Sequence, residues 1–106
     1  MIQIFVDADA CPVKDETVRV AERHGLYVHM VSNAWTRLSD NPLVRRVVVP
    51  EGPDVADDWI AEKVSAHDIV ITSDIPLAAR CIDQDAFVID PKGKLFTPAP
   101  IGTAIA

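Results

Sequence analysis

An α/β domain of three layers is predicted, with a central, mostly parallel sheet of about five strands flanked by helices. Two features carry that prediction. Short β-branched apolar runs alternate along the chain with stretches of helical period, and the runs are continuously apolar, as strands covered on both faces are. The length, 106 residues, adds the expectation of one domain over residues 1–106.

The strands are expected at Ile2–Val6, Tyr27–Val31, Val47–Val49, Ile69–Ile71 and Ala86–Ile89, each closed by polar, Gly or Pro residues. From Pro12 to His24 the apolar positions Val13, Val18, Val20 and Ala21 form a loose stripe, with Pro12 suited to a first turn and Gly25 to a C-terminal stop. Val55, Ala56, Trp59, Ile60 and Val64 mark a second helix, and Ile75, Ala78, Ala79 and Ile82 a third. Asn33–Val44 lacks a period and contains Pro42, so an exposed loop is expected there, with one helical turn around Thr36–Leu38. The stretch from Pro91 to Ala106 reads as turn-rich.

Composition narrows the function classes. Apolar residues make up 49% of the chain and charged residues 25%, enough apolar surface for a real core. The net charge is -6, from 16 acids against 10 Lys and Arg, so long-range attraction to a polyanion is excluded and any phosphate must be held locally. Two cysteines, Cys11 and Cys81, fit no zinc spacing and point to a reducing, cytoplasmic setting. The longest apolar runs are far below the roughly 20 residues of a membrane span, so no membrane partner is expected.

In open parallel sheets the ligand crevice lies beyond the carboxyl ends of the strands, and the acids fall there. The first strand leads into Asp7-Ala8-Asp9, the fourth ends Thr72-Ser73-Asp74, and the third leads to Asp54, Asp57 and Asp58. Gathered carboxylates repel one another unless a cation neutralises them, and oxygen-only donors suit Mg²⁺ or Mn²⁺. The candidate metal ligands are therefore Asp7, Asp9, Asp54, Asp57, Asp58 and Asp74, with Asp7, Asp9, Asp57 and Asp74 as the catalytic set.

Each acid also has a plainer explanation. Asp54 after Gly52-Pro53, with Asp57 three residues on, is laid out as an N-cap and a capping-box variant, and Asp74 with Pro76 also reads as a cap. Asp57 and Asp58 suit the first turn of a helix, as do Asp15 and Glu16. Asp7 and Asp9, two residues apart after a buried strand, project the same way and gain nothing from packing, so function is favoured for them. Asp90-Pro91-Lys92-Gly93 is explained by a type I turn alone.

Thr72 and Ser73 are placed to orient Asp74 or hydrogen-bond a phosphate, although residues of this type beside a helix start are usually local caps. Lys14, Arg37 and Lys92 are further candidates for substrate contact, with Arg45, Arg46 and Lys94. Trp35 beside Arg37 could stack on a base, against the favoured reading of a loop aromatic packed on the core. Cys11 stands among acids that disfavour a thiolate, so it reads as a small residue at a helix start. His24, His29 and His67 show no ligand spacing.

Three ordered motifs, Val6-Asp7-Ala8-Asp9-Ala10-Cys11-Pro12-Val13-Lys14, Gly52-Pro53-Asp54-Val55-Ala56-Asp57-Asp58-Trp59-Ile60 and Val70-Ile71-Thr72-Ser73-Asp74-Ile75-Pro76-Leu77-Ala78-Ala79, closely resemble the bacterial YaiI/YqxD family, also called UPF0178 or DUF188. Asp90-Pro91-Lys92-Gly93 and Phe96-Thr97-Pro98 match as well. The resemblance implies a PIN-like fold akin to PIN and NYN ribonucleases, hence a Mg²⁺ or Mn²⁺-dependent nuclease acting on RNA or another phosphodiester. It carries the first-strand acid onto Asp7 with Asp9, the helical acids onto Asp54 and Asp57 or Asp58, and the fourth-strand acid onto Asp74. Members of the family usually continue past Phe-Thr-Pro into a helical C-terminal extension, which this chain, ending at Ala106, is expected to lack.

Two alternatives remain open at this stage. Asp7-Ala8-Asp9-Ala10 also fits the start of haloacid-dehalogenase-like phosphatases, with Asp7 as nucleophile and Asp9 as acid/base. That class needs a later acidic pair, and no acid follows Asp90. The other is a non-catalytic PIN-like module that binds RNA or regulates, since a fold does not fix an activity.

Overall fold

A computed structural model describes residues 2–8, 14–33, 41–52 and 54–96 of the chain. Strands β1 (Ile4–Asp7), β2 (Val28–Ser32), β3 (Val44–Val48), β4 (Ile69–Ile71), β5 (Phe87–Ile89) and β6 (Leu95–Phe96) alternate with helices α1 (Lys14–His24), α2 (Val55–Lys63) and α3 (Ile75–Asp83). They form one six-stranded sheet in the order β3-β2-β1-β4-β5-β6, parallel except for the β5–β6 pair. The expected α/β architecture is thus observed, with three helices on a mostly parallel sheet.

Side-chain alternation along each strand divides the core in two. Phe5, Val31, Val70 and Val88 face α2 and α3 and pack with Ile60, Val64, Leu77 and Cys81. Ile4, Val6, Val28 and Met30 point to the opposite face and pack with Ala21 and Val18 of α1. The chain runs outward from β1 to β3, then crosses back to β4 on the other side of β1. The order of the strands therefore reverses between β1 and β4, the point beyond whose carboxyl ends open parallel sheets generally bind their ligands.

The helix boundaries follow from local chemistry. After α1 the chain turns at Gly25, whose φ of 65° suits a residue without Cβ, and Leu26 N–H donates to the Ala21 carbonyl at 2.9 Å while Gly25 N–H donates to Glu22. This is a Schellman closure. At α3, Asp74 Oδ1 accepts from Leu77 N–H at 2.9 Å, and Pro76 occupies the first turn.

Several boundaries differ from the sequence expectation. The third strand starts at Val44 rather than Val47 and takes in Arg45 and Arg46, so only part of the Asn33–Val44 stretch is loop; residues 34–40, with the expected helical turn, lie outside the described residues. Its two arginines break the apolar run because β3 is an edge strand, where charge is tolerated, and the Arg45 guanidinium lies 4.4 Å from the centre of the Tyr27 ring. The stretch expected to be turn-rich holds β6, two residues long and beyond the reach of a periodicity argument. Its turn is as expected: Gly93 N–H donates to the Asp90 carbonyl, and Asp90 Oδ1 accepts from the N–H groups of Lys92 and Lys94. Among the described residues no helix is long and apolar enough to cross a membrane.

Candidate functional site

Asp7 ends β1, and Thr72 follows β4 directly alongside it. Both lie on the side of the sheet that carries α2 and α3, because each is two residues beyond a side chain of that core, Phe5 and Val70. The buried Thr72 hydroxyl donates to Asp7 Oδ2 at 3.1 Å and accepts from Asp74 N–H at 3.0 Å. One hydroxyl thus ties the end of β1 to the start of α3 and fixes how both acids stand. Asp74 is held a second time by capping α3.

Asp57, in the first turn of α2, completes the cluster. Its carboxyl is pushed up to about 6, first by burial and then by the negative charges of Asp74 and Asp7, by a side-chain hydrogen bond with Asp74, and by Asp54. Two carboxyl groups can share a hydrogen bond only through a proton, and the proton that Asp57 retains at mildly acidic pH supplies it. The acids of β1, α2 and α3 are therefore brought together at the reversal point of the sheet.

Other candidates are placed differently. Asp54 occupies the N-cap position of α2 at a φ of 64°, and its side chain makes no cap hydrogen bond, which corrects the capping-box reading. It is exposed, close enough to add to the repulsion on Asp57. Asp58 is paired with Arg80 of α3 at 2.8 Å. Ser73 is exposed, Lys14 opens α1, and Lys92 is exposed in the β5–β6 turn. Asp9, Cys11, Trp35 and Arg37 lie outside the described residues.

Among the described residues, no group of three or more His, Cys, Asp or Glu side chains is arranged to hold a metal ion. The donor chemistry of Asp7, Asp57 and Asp74 is nonetheless that of a hard cation site, oxygen only and crowded with like charge. Cys81 is no nucleophile, since burial pushes its thiol up to about 11.

Sequence reasoning missed two polar features. Asp68, only 4% exposed, accepts from Gln3 N–H at 3.0 Å and from Ser65 N–H at 2.8 Å, locking the amino end of β1 to the loop before β4. His29 hydrogen-bonds Gln3 and stacks on Phe5 with ring centres 4.7 Å apart, and burial followed by the Arg45 charge lowers its pKa. Asp68 lies at the opposite, amino end of the strands, and His29 is in register with Phe5, two residues before Asp7. Nothing in local spacing signals them, because most of their partners are distant in sequence.

The chain matches the family described as uncharacterized BCR, YaiI/YqxD family, DUF188, over residues 5–106. It is 59% identical over its full length to a UPF0178 protein of Gluconacetobacter diazotrophicus and 61% identical to one of Parvibaculum lavamentivorans, spanning 69% and 70% of those proteins. A UPF0178 protein of Azorhizobium caulinodans is 58% identical over 99% of the chain, which spans 66% of that relative. No solved structure matches. With a match across nearly its whole length, the chain belongs to the YaiI/YqxD family, DUF188 or UPF0178.

Proposed function

We propose that the crevice bounded by Asp7, Asp57 and Asp74 is a hydrolytic site for phosphodiesters, RNA foremost, that works with Mg²⁺ or Mn²⁺. The observation that carries this reading is the crowding of acids at the reversal point of the sheet, which drives Asp57 up to about 6. Folded chains seldom retain such repulsion without a use for it. The resemblance to PIN-like nucleases would imply acids at Asp7, at Asp57 or Asp58, and at Asp74, with Asp9 and Asp54 as further ligands. A divalent ion would bring the positive charge that draws phosphate to an acidic chain and activates water.

The chain's own residues supply the positioning. Thr72 fixes the Asp7 carboxylate by its hydroxyl and the Asp74 backbone by its lone pair. Asp74 is anchored to the N-terminus of α3, leaving it little freedom to turn away. Asp57 keeps its proton until the pH exceeds about 6, so ion binding, and with it hydrolysis, would strengthen as the pH rises through that value.

A second reading, a module that binds RNA without cleaving it, requires no metal, and among the described residues no three His, Cys, Asp or Glu side chains are arranged to hold one. Incubation of a labelled single-stranded RNA with wild type, Asp57→Asn and Asp74→Asn, in Mn²⁺ and in EDTA, separates the two. Asn caps a helix about as well as Asp, so Asp74→Asn retains the fold. Cleavage in Mn²⁺ that falls at least about 100-fold in both variants is the expected result. Cleavage untouched by both substitutions contradicts the site, and binding that persists in EDTA without cleavage establishes the second reading.

A further inference from the structure

The two faces of the sheet are covered unequally. α2 and α3 close one face, whereas on the other, among the described residues, α1 covers β1 and β2 and leaves a groove of about 320 Å³ over β4 and β5. Its floor is aliphatic, Ile69, Ile71 and Ile89, and Val20 lines the α1 side. The apolar surface runs on past the groove. Phe87 and Ile89 flank Val88, which faces α2 and α3, so both point the other way, and Leu95 stands opposite Ile89 in the β5–β6 register. Phe87 and Leu95 are each 48% exposed. Parallel strands are almost always covered on both faces, and an apolar patch of this kind marks a contact surface.

The polar lining selects the occupant. Thr17 is buried and already partnered, and Asp90 is taken up by the N–H groups of its own turn. That leaves one exposed acid, Glu16, and one exposed base, Lys92. Glu16 belongs to the first turn of α1 and Lys92 to the turn after β5, so both stand at the carboxyl end of the strands, on opposite sides of the groove. A two-fold axis parallel to the strands keeps the carboxyl ends of two copies together and exchanges their sides, which brings each Glu16 to the partner's Lys92. The same rotation stacks the two open faces on each other. A patch that matches itself in this way is what a two-fold interface needs, whereas a small ligand would fill the groove and leave Phe87 and Leu95 in water.

We propose that the open side of the sheet over β4, β5 and β6 is the interface of a two-fold homodimer, in which Ile71, Phe87, Ile89 and Leu95 of two copies pack sheet on sheet and Glu16 pairs with the partner's Lys92. Packed sheets stand about 10 Å apart, the thickness of a helix layer, so α1 of each copy flanks the edge strand β6 of the other. The interface lies on the face opposite the acid crevice and leaves that crevice open.

Sedimentation equilibrium of the whole chain, from micromolar to millimolar concentration, tests this. The wild type should reach twice the mass of one chain. Leu95→Glu, at an exposed position, should remain a monomer with an unchanged circular dichroism spectrum. Glu16→Lys and Lys92→Glu each set like charges against one another across the interface and should weaken the dimer at least about 10-fold. Combined, they should restore it, because the exchanged pair forms again. A wild type that stays monomeric at millimolar concentration would overturn the proposal. So would a dimer indifferent to Leu95→Glu or to the single charge reversals, or a double variant that associates no better than the single ones.

Discussion

Two carboxylate settings stand at opposite ends of the parallel strands, and their partners differ in sign. At the amino end, Asp68 is almost fully buried, and its two oxygens accept from two backbone N–H groups, of Gln3 and Ser65. At the carboxyl end, Asp57 is less buried, yet its principal neighbours are other acids, Asp74, Asp7 and Asp54. A carboxylate matched by donors holds a fold together, while one crowded by carboxylates works against it. Burial therefore does not separate the two settings; the charge of the neighbours does.

The sharpest way to break that contrast is to remove each acid's charge. Asp68→Asn replaces one acceptor oxygen with a donor that confronts a backbone N–H, and should cost about 3 kcal/mol, read as a fall in the urea midpoint. Thr72→Val comes next. It keeps the shape but strips Asp7 of a donor and Asp74 N–H of an acceptor, for an expected loss of about 2 kcal/mol in the same assay.

Asp57→Asn should act in the opposite direction. A carboxyl whose folded pKa is near 6 and whose ordinary value is 3.8 binds its proton more readily folded than unfolded. Ionisation therefore costs the wild type stability that is fully lost above about pH 6 and restored as the pH falls below 3.8. The substitution should raise stability at neutral pH by about 1 kcal/mol, a modest figure because water screens this partly exposed group. Thermal melts across that pH range should show the gain shrinking to nothing at the acid end. A gain independent of pH would mean that repulsion is not its source.

Arg80→Gln is the smallest case. It removes an ion pair whose side chains are 46% and 57% exposed, and such pairs leave stability unchanged within ordinary error. A clear fall in Tm would show that Arg80 offsets the acid crowding rather than merely decorating the surface.

What was legible in the sequence follows the same division between local and distant causes. The three helices were legible because each has a one-sided stripe and a local stop such as Gly25 or a start such as Asp74 with Pro76. β3 was read short because Arg45 and Arg46 interrupt its apolar run at an edge where the sheet tolerates them. β6, two residues long, has no period to read. The convergence of Asp7, Asp57 and Asp74 was legible only through topology, since no spacing relates three separate elements. Asp54 takes the N-cap position that the pattern marks, but at a left-handed φ of 64° its side chain makes no cap hydrogen bond, which no residue pattern signals. Asp68 was invisible because one of its two partners, Gln3, lies 65 residues away.

The central claim is that the crowding at Asp57 exists to be relieved by a cation. Its direct test is a carboxyl-carbon NMR titration of Asp57 with and without millimolar Mg²⁺. The account predicts a midpoint near 6 in the absence of the ion and one at or below the ordinary Asp value of about 3.9 in its presence. A midpoint that Mg²⁺ does not move would contradict it, and would leave the crevice an acidic surface rather than a metal-dependent site.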